Sequence, residues 1–320
     1  MKLRPALAIV LALLAAVAAA SEYPARPIRI IVQFTPGTST DVMARLIAAK
    51  LGDHWNQQVI VDNKPGAGAV LGTEMGAKAA PDGYTLTMAV SSAFGINPTL
   101  YSKLPYDAIN DFAPISNLGL TPQTLVVSPA ESYRTVKEFV AAAKAKPGQI
   151  SFASLGSGST SHLTTEMFAS AAGIKLNHVP FKGSADAHTQ IIGGQVPMMF
   201  DAIPATMPHI KSGRLRGLGI ATLKRSPFLP DLPTIAEAGY AGFEAVGWIG
   251  IAAPAKTPVA ILNKLNAEML RILVEPDVIE KLNALAFTPA GDTREQFAAY
   301  IKSEIAKWGK AVKDSGAKAD

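Results

Sequence analysis

The chain has 320 residues, 48% of them hydrophobic, with 30 Lys and Arg against 25 Asp and Glu, a formal net charge of +5 and no cysteine. This excludes a disordered chain and a disulfide framework, and at roughly 100–200 residues per domain it points to two domains. Thiol nucleophiles, Cys-ligated zinc and iron–sulfur clusters are ruled out, and because residues 1–20 hold Lys2 and Arg4 and no acid, the remainder carries 28 bases against 25 acids, a balance that gives no reason to expect nucleic acid.

Lys2 and Arg4 precede an almost unbroken apolar run from Ala6 to Ala20, which ends in three alanines before Ser21. A basic start, a short apolar stretch and a small-residue cleavage site make residues 1–20 a secretory signal peptide. The run is shorter than the ~20 residues a spanning helix needs. No cysteine stands at the cleavage point to take a lipid, so the expected product is exported to a bacterial periplasm and not lipid-anchored.

Residues 27–34 read as a strand and 42–55 as a helix, with Val42, Leu46 and Ala49 along one face. Further strands are expected at 59–61, 85–90, 125–127, 150–154, 177–180, 198–200 and 215–221, and helices at 72–79, 135–145, 162–172, 185–192 and 204–211. Phe297, Ile301, Ile305 and Trp308 recur at helical spacing, so the last helix should dock on the body. Strands alternating with helices predict an α/β fold with mostly parallel strands. The Pro-rich stretch 226–233 and the segment 121–124 each mark a crossing between units. Two crossings divide the chain into one lobe from 21–122 and 223–320 and a second from 123–222, joined by a hinge.

Chemistry concentrates in two loops that each follow a strand and open a helix. The first is Thr35-Pro36-Gly37-Thr38-Ser39-Thr40-Asp41; the second is Leu155-Gly156-Ser157-Gly158-Ser159-Thr160-Ser161-His162. A helix start leaves its first N–H groups without intrahelical acceptors and carries partial positive charge, so a carboxylate can bind there without Lys or Arg. Ordinary capping explains the same residues: Thr38 with Asp41 three positions on resembles a capping box, and Asp41 would repel an anion unless held back on the backbone. The expected ligand-binding residues are Gly37, Thr38, Ser39, Thr40, Asp41, Ser157, Ser159, Thr160 and Ser161. Ser91, Ser92 and Asp201, each near a strand end, add polar contacts, and Phe34, Phe181 and Trp248 add apolar walls. Two facing helix starts suit a ligand with two acidic ends.

Catalysis finds little support. Gly156-Ser157-Gly158 lacks the spacing of a nucleophile elbow, and neither loop ends in the G-K-[ST] of a P-loop. The histidines at 54, 162, 178, 188 and 209 form no metal-ligand pair by spacing. The chain is expected not to be an enzyme and to need no cofactor or metal. Two alternatives stand beside the binding reading: an exported serine hydrolase using Ser157 or Ser159 with His162, and a ligand sensor for a signalling receptor.

Four further segments extend the pattern: Tyr23-Pro24-Ala25-Arg26-Pro27-Ile28-Arg29, Asp62-Asn63-Lys64-Pro65-Gly66-Ala67-Gly68, Ala80-Pro81-Asp82-Gly83-Tyr84-Thr85-Leu86 and Val179-Pro180-Phe181-Lys182-Gly183-Ser184. With the two loops, Gly193-Gly194-Gln195-Val196 and Pro208-His209-Ile210-Lys211-Ser212-Gly213, they resemble the substrate-binding proteins of tripartite tricarboxylate transporters, the Bug family. The resemblance implies a two-lobed, type II-like periplasmic-binding-protein fold, two sheets flanked by helices. It also implies a small-molecule carboxylate gripped by main-chain donors and hydroxyls, Asp201 facing the ligand, and delivery by a monomer to the membrane components of such a transporter. The first loop departs from the family's Pro-Pro-Gly-Gly form: Thr38 adds a hydroxyl and narrows the cleft. In this it is similar to a terephthalate-binding branch, which implies a rigid aromatic diacid. Charge-assisted hydrogen bonds would fix its two ends and ring burial would add ~25 cal/mol per Å².

Overall fold

The computed structural model describes residues 23–319; the expected signal peptide lies outside the described residues. The first half runs β1 (Ile28–Val32), α1 (Ser39–Trp55), β2 (Val59–Asn63), α2 (Val70–Ala77), β3 (Thr85–Val90), a π-helical turn (Ser91–Ile96), α3 (Asn97–Leu100) and β4 (Phe112–Val127). The second runs α4 (Val136–Ala145), β5 (Ser151–Ser154), α5 (Thr160–Ala172), β6 (Asn177–Pro180), α6 (Ser184–Ile192), β7 (Met198–Ala202), α7 (Ile203–Lys211) and β8 (Arg216–Ile220). The chain then returns through β9 (Val246–Pro254), α8 (Val259–Leu273), α9 (Pro276–Ala284), β10 (Thr288–Pro289) and α10 (Arg294–Ser315).

Strand order is β2-β1-β3-β9-β4-β7-β5-β6, with β8 and β10 also on β4. In the first lobe β1 lies parallel between β2 and β3, and in the second β5 lies parallel between β6 and β7. Such strands are covered on both faces, which is why Ile28, Ile30, Ile31 and Val32 are all buried. The two-lobed α/β fold is therefore as expected, with helices against both sheets.

One crossing departs from the expectation and the other does not. Within 121–124 the chain passes between lobes inside a strand: β4 runs unbroken, pairing with β9 through residues 112–122 and with β7 from Gln123 onward. Pro122 faces Val246, the first residue of β9, so its missing N–H falls where one partner strand gives way to the next. The second crossing is not the Pro-rich stretch. Leu229 packs with Ile203, Met207 and Ile220, Thr234 bridges to Ile220, and Ile235 and Phe243 join the core of the second lobe. The chain leaves that lobe only at Ala245, whose N–H donates to Ala221 O at 3.0 Å. Proline rigidity here shapes a segment that hugs one lobe.

α10 starts in a full capping box made by Thr293 and Gln296. Its Phe297 and Ile301 belong to the core of the first lobe, and Trp308, Ala311 and Val312 to that of the second. The helix is docked, as its apolar spacing anticipated, but it spans both lobes although residues 223–320 were expected to belong to the first alone. Within it the buried Glu304 accepts the indole N–H of Trp308 at 2.7 Å and of Trp248 at 3.0 Å.

Candidate functional site

The C-terminal ends of β1, β3, β5 and β7 meet where an open α/β sheet places its ligands. After β1 the chain turns through Gly37, at φ +84°, into α1. Thr38 is the N-cap: its hydroxyl accepts from Asp41 N at 3.4 Å and donates to Thr35 O at 3.0 Å. The Asp41 carboxylate, 2% exposed, is drawn back from the helix end. It accepts from Gly37 N at 2.9 Å, from Arg45 Nε and Nη2 at 2.9 and 3.0 Å, and from Asn63 Nδ2 at 2.9 Å. Burial opposes its ionisation, but the donors from Arg45, Gly37 and Asn63 outweigh it and hold the carboxyl below its usual range. Asp41 therefore shapes the loop and is the restrained acid that an anion site requires. Ser39 and Thr40 bring the first two N–H groups of α1, which have no acceptor inside their helix.

The second loop uses different parts. Ser159 is the N-cap of α5, accepting from His162 N at 3.2 Å and donating to Gly156 O at 2.7 Å. Ser161 Oγ accepts from Leu155 N at 2.9 Å and sits 3.0 Å from Ser159 Oγ. Gly156 N donates to Ser154 Oγ at 3.1 Å, and Gly158 N to His162 Nδ1 at 3.1 Å. Gly158, at φ +74°, is pressed against the first lobe: a Cβ there would stand 1.9 Å from Leu100 Cδ2. Ser157 is exposed at the loop tip.

Ser91, which follows β3 of the first lobe, reaches the second loop. Its hydroxyl lies 3.4 Å from Thr160 Oγ1 in the second lobe and accepts from Trp248 N at 3.3 Å. Ser92, beside it, is buried. Phe34 and Phe181 are half-buried, the first packed on the core of the first lobe and the second on the small core under α6. The Trp248 ring, expected as a wall, is 1% exposed and enclosed by Phe297 and Tyr300. Only its backbone reaches the site, because the indole N–H is drawn into the core by Glu304. Asp201 ends β7 with Oδ1 accepting from Ala202 N at 2.8 Å. Its Oδ2 lies 3.0 Å from His188 Nε2 but out of line with the ring N–H, so neither atom is hydrogen-bonded.

Spacing alone did not point to Arg45, Ser154, His178 or His188. Asn63 falls in a motif that the family resemblance quoted, but its role on Asp41 depends on β2 lying beside β1. Among the described residues no base is hydrogen-bonded to Ser157 or Ser159: the Ser159 hydrogen goes to a carbonyl, and His162 Nδ1 is occupied by a backbone N–H. Burial, together with His178, pushes the His162 imidazole down to about 4. Among the described residues no group of three or more His, Asp or Glu is arranged to hold a metal ion, and no helix is long and apolar enough to cross a membrane. The arrangement suits anion binding at two helix starts.

Comparison with known proteins points the same way. The family model for the tripartite tricarboxylate transporter family receptor matches residues 43–317. Protein BugT of Bordetella pertussis is 40% identical over 306 residues, 95% of this chain and 94% of that protein. A protein of R. palustris solved with adipate is 33% identical, with a TM-score of 0.88 over 92% of this chain and 99% of its own. MatC from Rhodopseudomonas palustris, solved with bound malate, is 31% identical, with a TM-score of 0.84 over 91% and 100%.

Proposed function

Because the chain belongs to the tripartite tricarboxylate transporter receptor family, we propose that it captures a dicarboxylate between its two helix-start loops and presents it to the membrane components of such a transporter. The single observation that carries this reading is the contact of the first lobe with the second helix start at Ser91, which follows β3 and reaches Thr160 Oγ1 at 3.4 Å. Each helix start offers backbone N–H groups and hydroxyls to one carboxylate, and a diacid engages both lobes at once. Contact with both lobes is what gives a ligand differential affinity for their joined state. The ligands of the two R. palustris relatives, adipate and malate, are both dicarboxylates. A single chain supplies both loops, so a monomer suffices, and the leader-like residues 1–20 assign it to the periplasm.

Thr38 and the half-buried Phe34 and Phe181 extend the reading to a flat aromatic diacid such as terephthalate. On this reading the protein acts by binding and release, and the Ser159 hydroxyl, which donates to Gly156 O, serves the loop as its cap. Calorimetric titration with adipate, malate, terephthalate and matching monoacids tests the reading. At least one diacid should bind, and its monoacid counterpart should bind at least tenfold more weakly, about 1.4 kcal/mol. Silence across the whole panel would refute it.

A further inference from the structure

We propose that His162 and His178 are positioning residues for the second loop, a stacked pair of imidazoles of which His162 must be uncharged for the loop to hold its anion-binding shape. The proposal deepens the dicarboxylate reading and rests on it for its effect on affinity, but its geometry can be tested without any ligand.

His162 holds one glycine N–H of the loop directly, and His178 reaches another through Ser154. Gly158 N donates to His162 Nδ1 at 3.1 Å, and an N–H can donate only to an unprotonated ring nitrogen. The proton of the neutral His162 ring therefore sits on Nε2, which faces Glu166 Oε1 at 3.8 Å. His178 Nε2 lies 2.5 Å from Ser154 Oγ, and the same oxygen accepts from Gly156 N at 3.1 Å. Gly156 and Gly158 both have positive φ, +104° and +74°, so each peptide needs a fixed partner to keep its orientation. Occupying the Gly158 N–H also leaves the N–H groups of Thr160 and Ser161, at the open end of α5, as those available to an anion.

The two rings are stacked at 4.0 Å with 16° between their planes, and Phe152 covers His178 at 4.9 Å. Burial disfavours charge on both, and each ring charged would repel the other. The charged groups around them are few. Glu166 comes from the same helix as His162, and burial pushes its own carboxyl up. Lys307, Lys310 and Asp314 of α10 and Glu244 line a groove with Glu166 on its outer side. β5 contributes Phe152, which carries no charge. A proton on His162 Nδ1 would turn acceptor into donor, set two N–H groups head to head, and release Gly158 from Leu100 and the first lobe.

The test compares His162→Asn, whose Oδ1 can replace Nδ1 as acceptor, with His162→Leu, which has none. With adipate as probe at pH 7.5, His162→Leu should lose on the order of tenfold in affinity, and His162→Asn should recover most of it. Measured from pH 8 to pH 4, wild-type affinity should fall relative to that of His162→Asn as the imidazole charges; the ratio cancels the titration of adipate itself. Unchanged affinity in His162→Leu, or superimposable pH profiles for wild type and His162→Asn, would overturn the proposal. Should adipate not bind at all, nitrogen-15 NMR of the free protein decides. His162 Nδ1 should be unprotonated at pH 7, and the Gly158 amide should shift together with the ring as pH falls. A protonated Nδ1 at pH 7 would overturn the geometry even if a ligand is later found.

Discussion

The loop at residues 35–41 is exposed at its tip and organised by ionised groups, whereas the loop at 155–161 is pressed against the opposite lobe and organised by neutral ones. In the first, Asp41 is tied by Arg45, Asn63 and the Gly37 N–H; in the second, Ser154, Ser159, His162 and His178 do the equivalent work. Both end in the same functional group, the open N-terminus of a helix. The difference follows from surroundings. Arg45 keeps half its side chain in water, where a guanidinium can remain charged cheaply, while His162 is buried where a charge would be costly. One helix start is thus sensitive to packing and to mild acid, and the other to neither.

Glycine replacement gives the largest predicted contrast. Gly37→Ala meets nothing within 4 Å and carries only the strain of φ +84°, about 1–2 kcal/mol. Gly158→Ala carries comparable strain and also drives a methyl to 1.9 Å from Leu100 Cδ2 in a buried setting. Overpacking of that kind adds about 1–3 kcal/mol, for roughly 2–5 kcal/mol in all. Urea denaturation of both variants measures the gap, and Leu100→Ala combined with Gly158→Ala should recover the overpacking share. Equal losses at the two glycines would show that the second loop is not wedged against the first lobe.

Acid sharpens the contrast next. The folded His162 imidazole titrates at about 4, below its unfolded 6.5, so its contribution to stability is complete above pH 6.5 and is lost as pH falls toward 4. The loss amounts to at most roughly 3 kcal/mol. Asp41 is also held below its usual value, so its contribution is present above about pH 4 and disappears only as pH falls further. Between pH 6.5 and 4.5 the second loop should weaken while the first does not. The difference in unfolding free energy between wild type and His162→Asn across that window isolates the effect. A flat difference would mean that the imidazole is not held neutral by the fold.

How far the sequence revealed these loops depends on how local each interaction is. Thr38 and Ser159 were legible as caps because the N–H groups they accept lie three residues away. That Asp41 must be held back was legible too; that Arg45 and Asn63 hold it was not, since Asn63 arrives from the next strand. His178 reaches the loop only because β5 and β6 are paired, and no spacing in the sequence records a ring stack between residues 162 and 178. The long β4 was hidden for a different reason. Pro114, Gly119 and Pro122 interrupt its pattern, with register shifts beside the first two and a change of partner strand after the third, so only its last three residues read as a strand. β9 is apolar throughout, with every residue buried, and shows no alternation. α8 does keep a helical period in Ile261, Leu265, Met269 and Ile272, a signal fully present in the sequence though absent from the expected elements.

The smallest predicted effect concerns the contact of Ser91, in the first lobe, with the second loop. Ser91 Oγ stands 3.4 Å from Thr160 Oγ1 and 3.3 Å from Trp248 N, both at the long end of hydrogen-bond range. Ser91→Ala therefore should cost no more than about 1 kcal/mol of stability. Its effect on diacid affinity should be two- to fivefold, because the hydroxyl touches the second loop at Thr160, the residue that begins α5. A double-mutant cycle with Thr160→Val measures the coupling directly, and about 0.5 kcal/mol is expected. Coupling near zero would mean that Ser91 and the second loop merely lie close. Coupling above about 1.4 kcal/mol, a tenfold effect, would mean that the hydroxyl pair itself latches the lobes. In that case the contrast between an ionic loop and a neutral loop would matter less for binding than the bridge between the lobes.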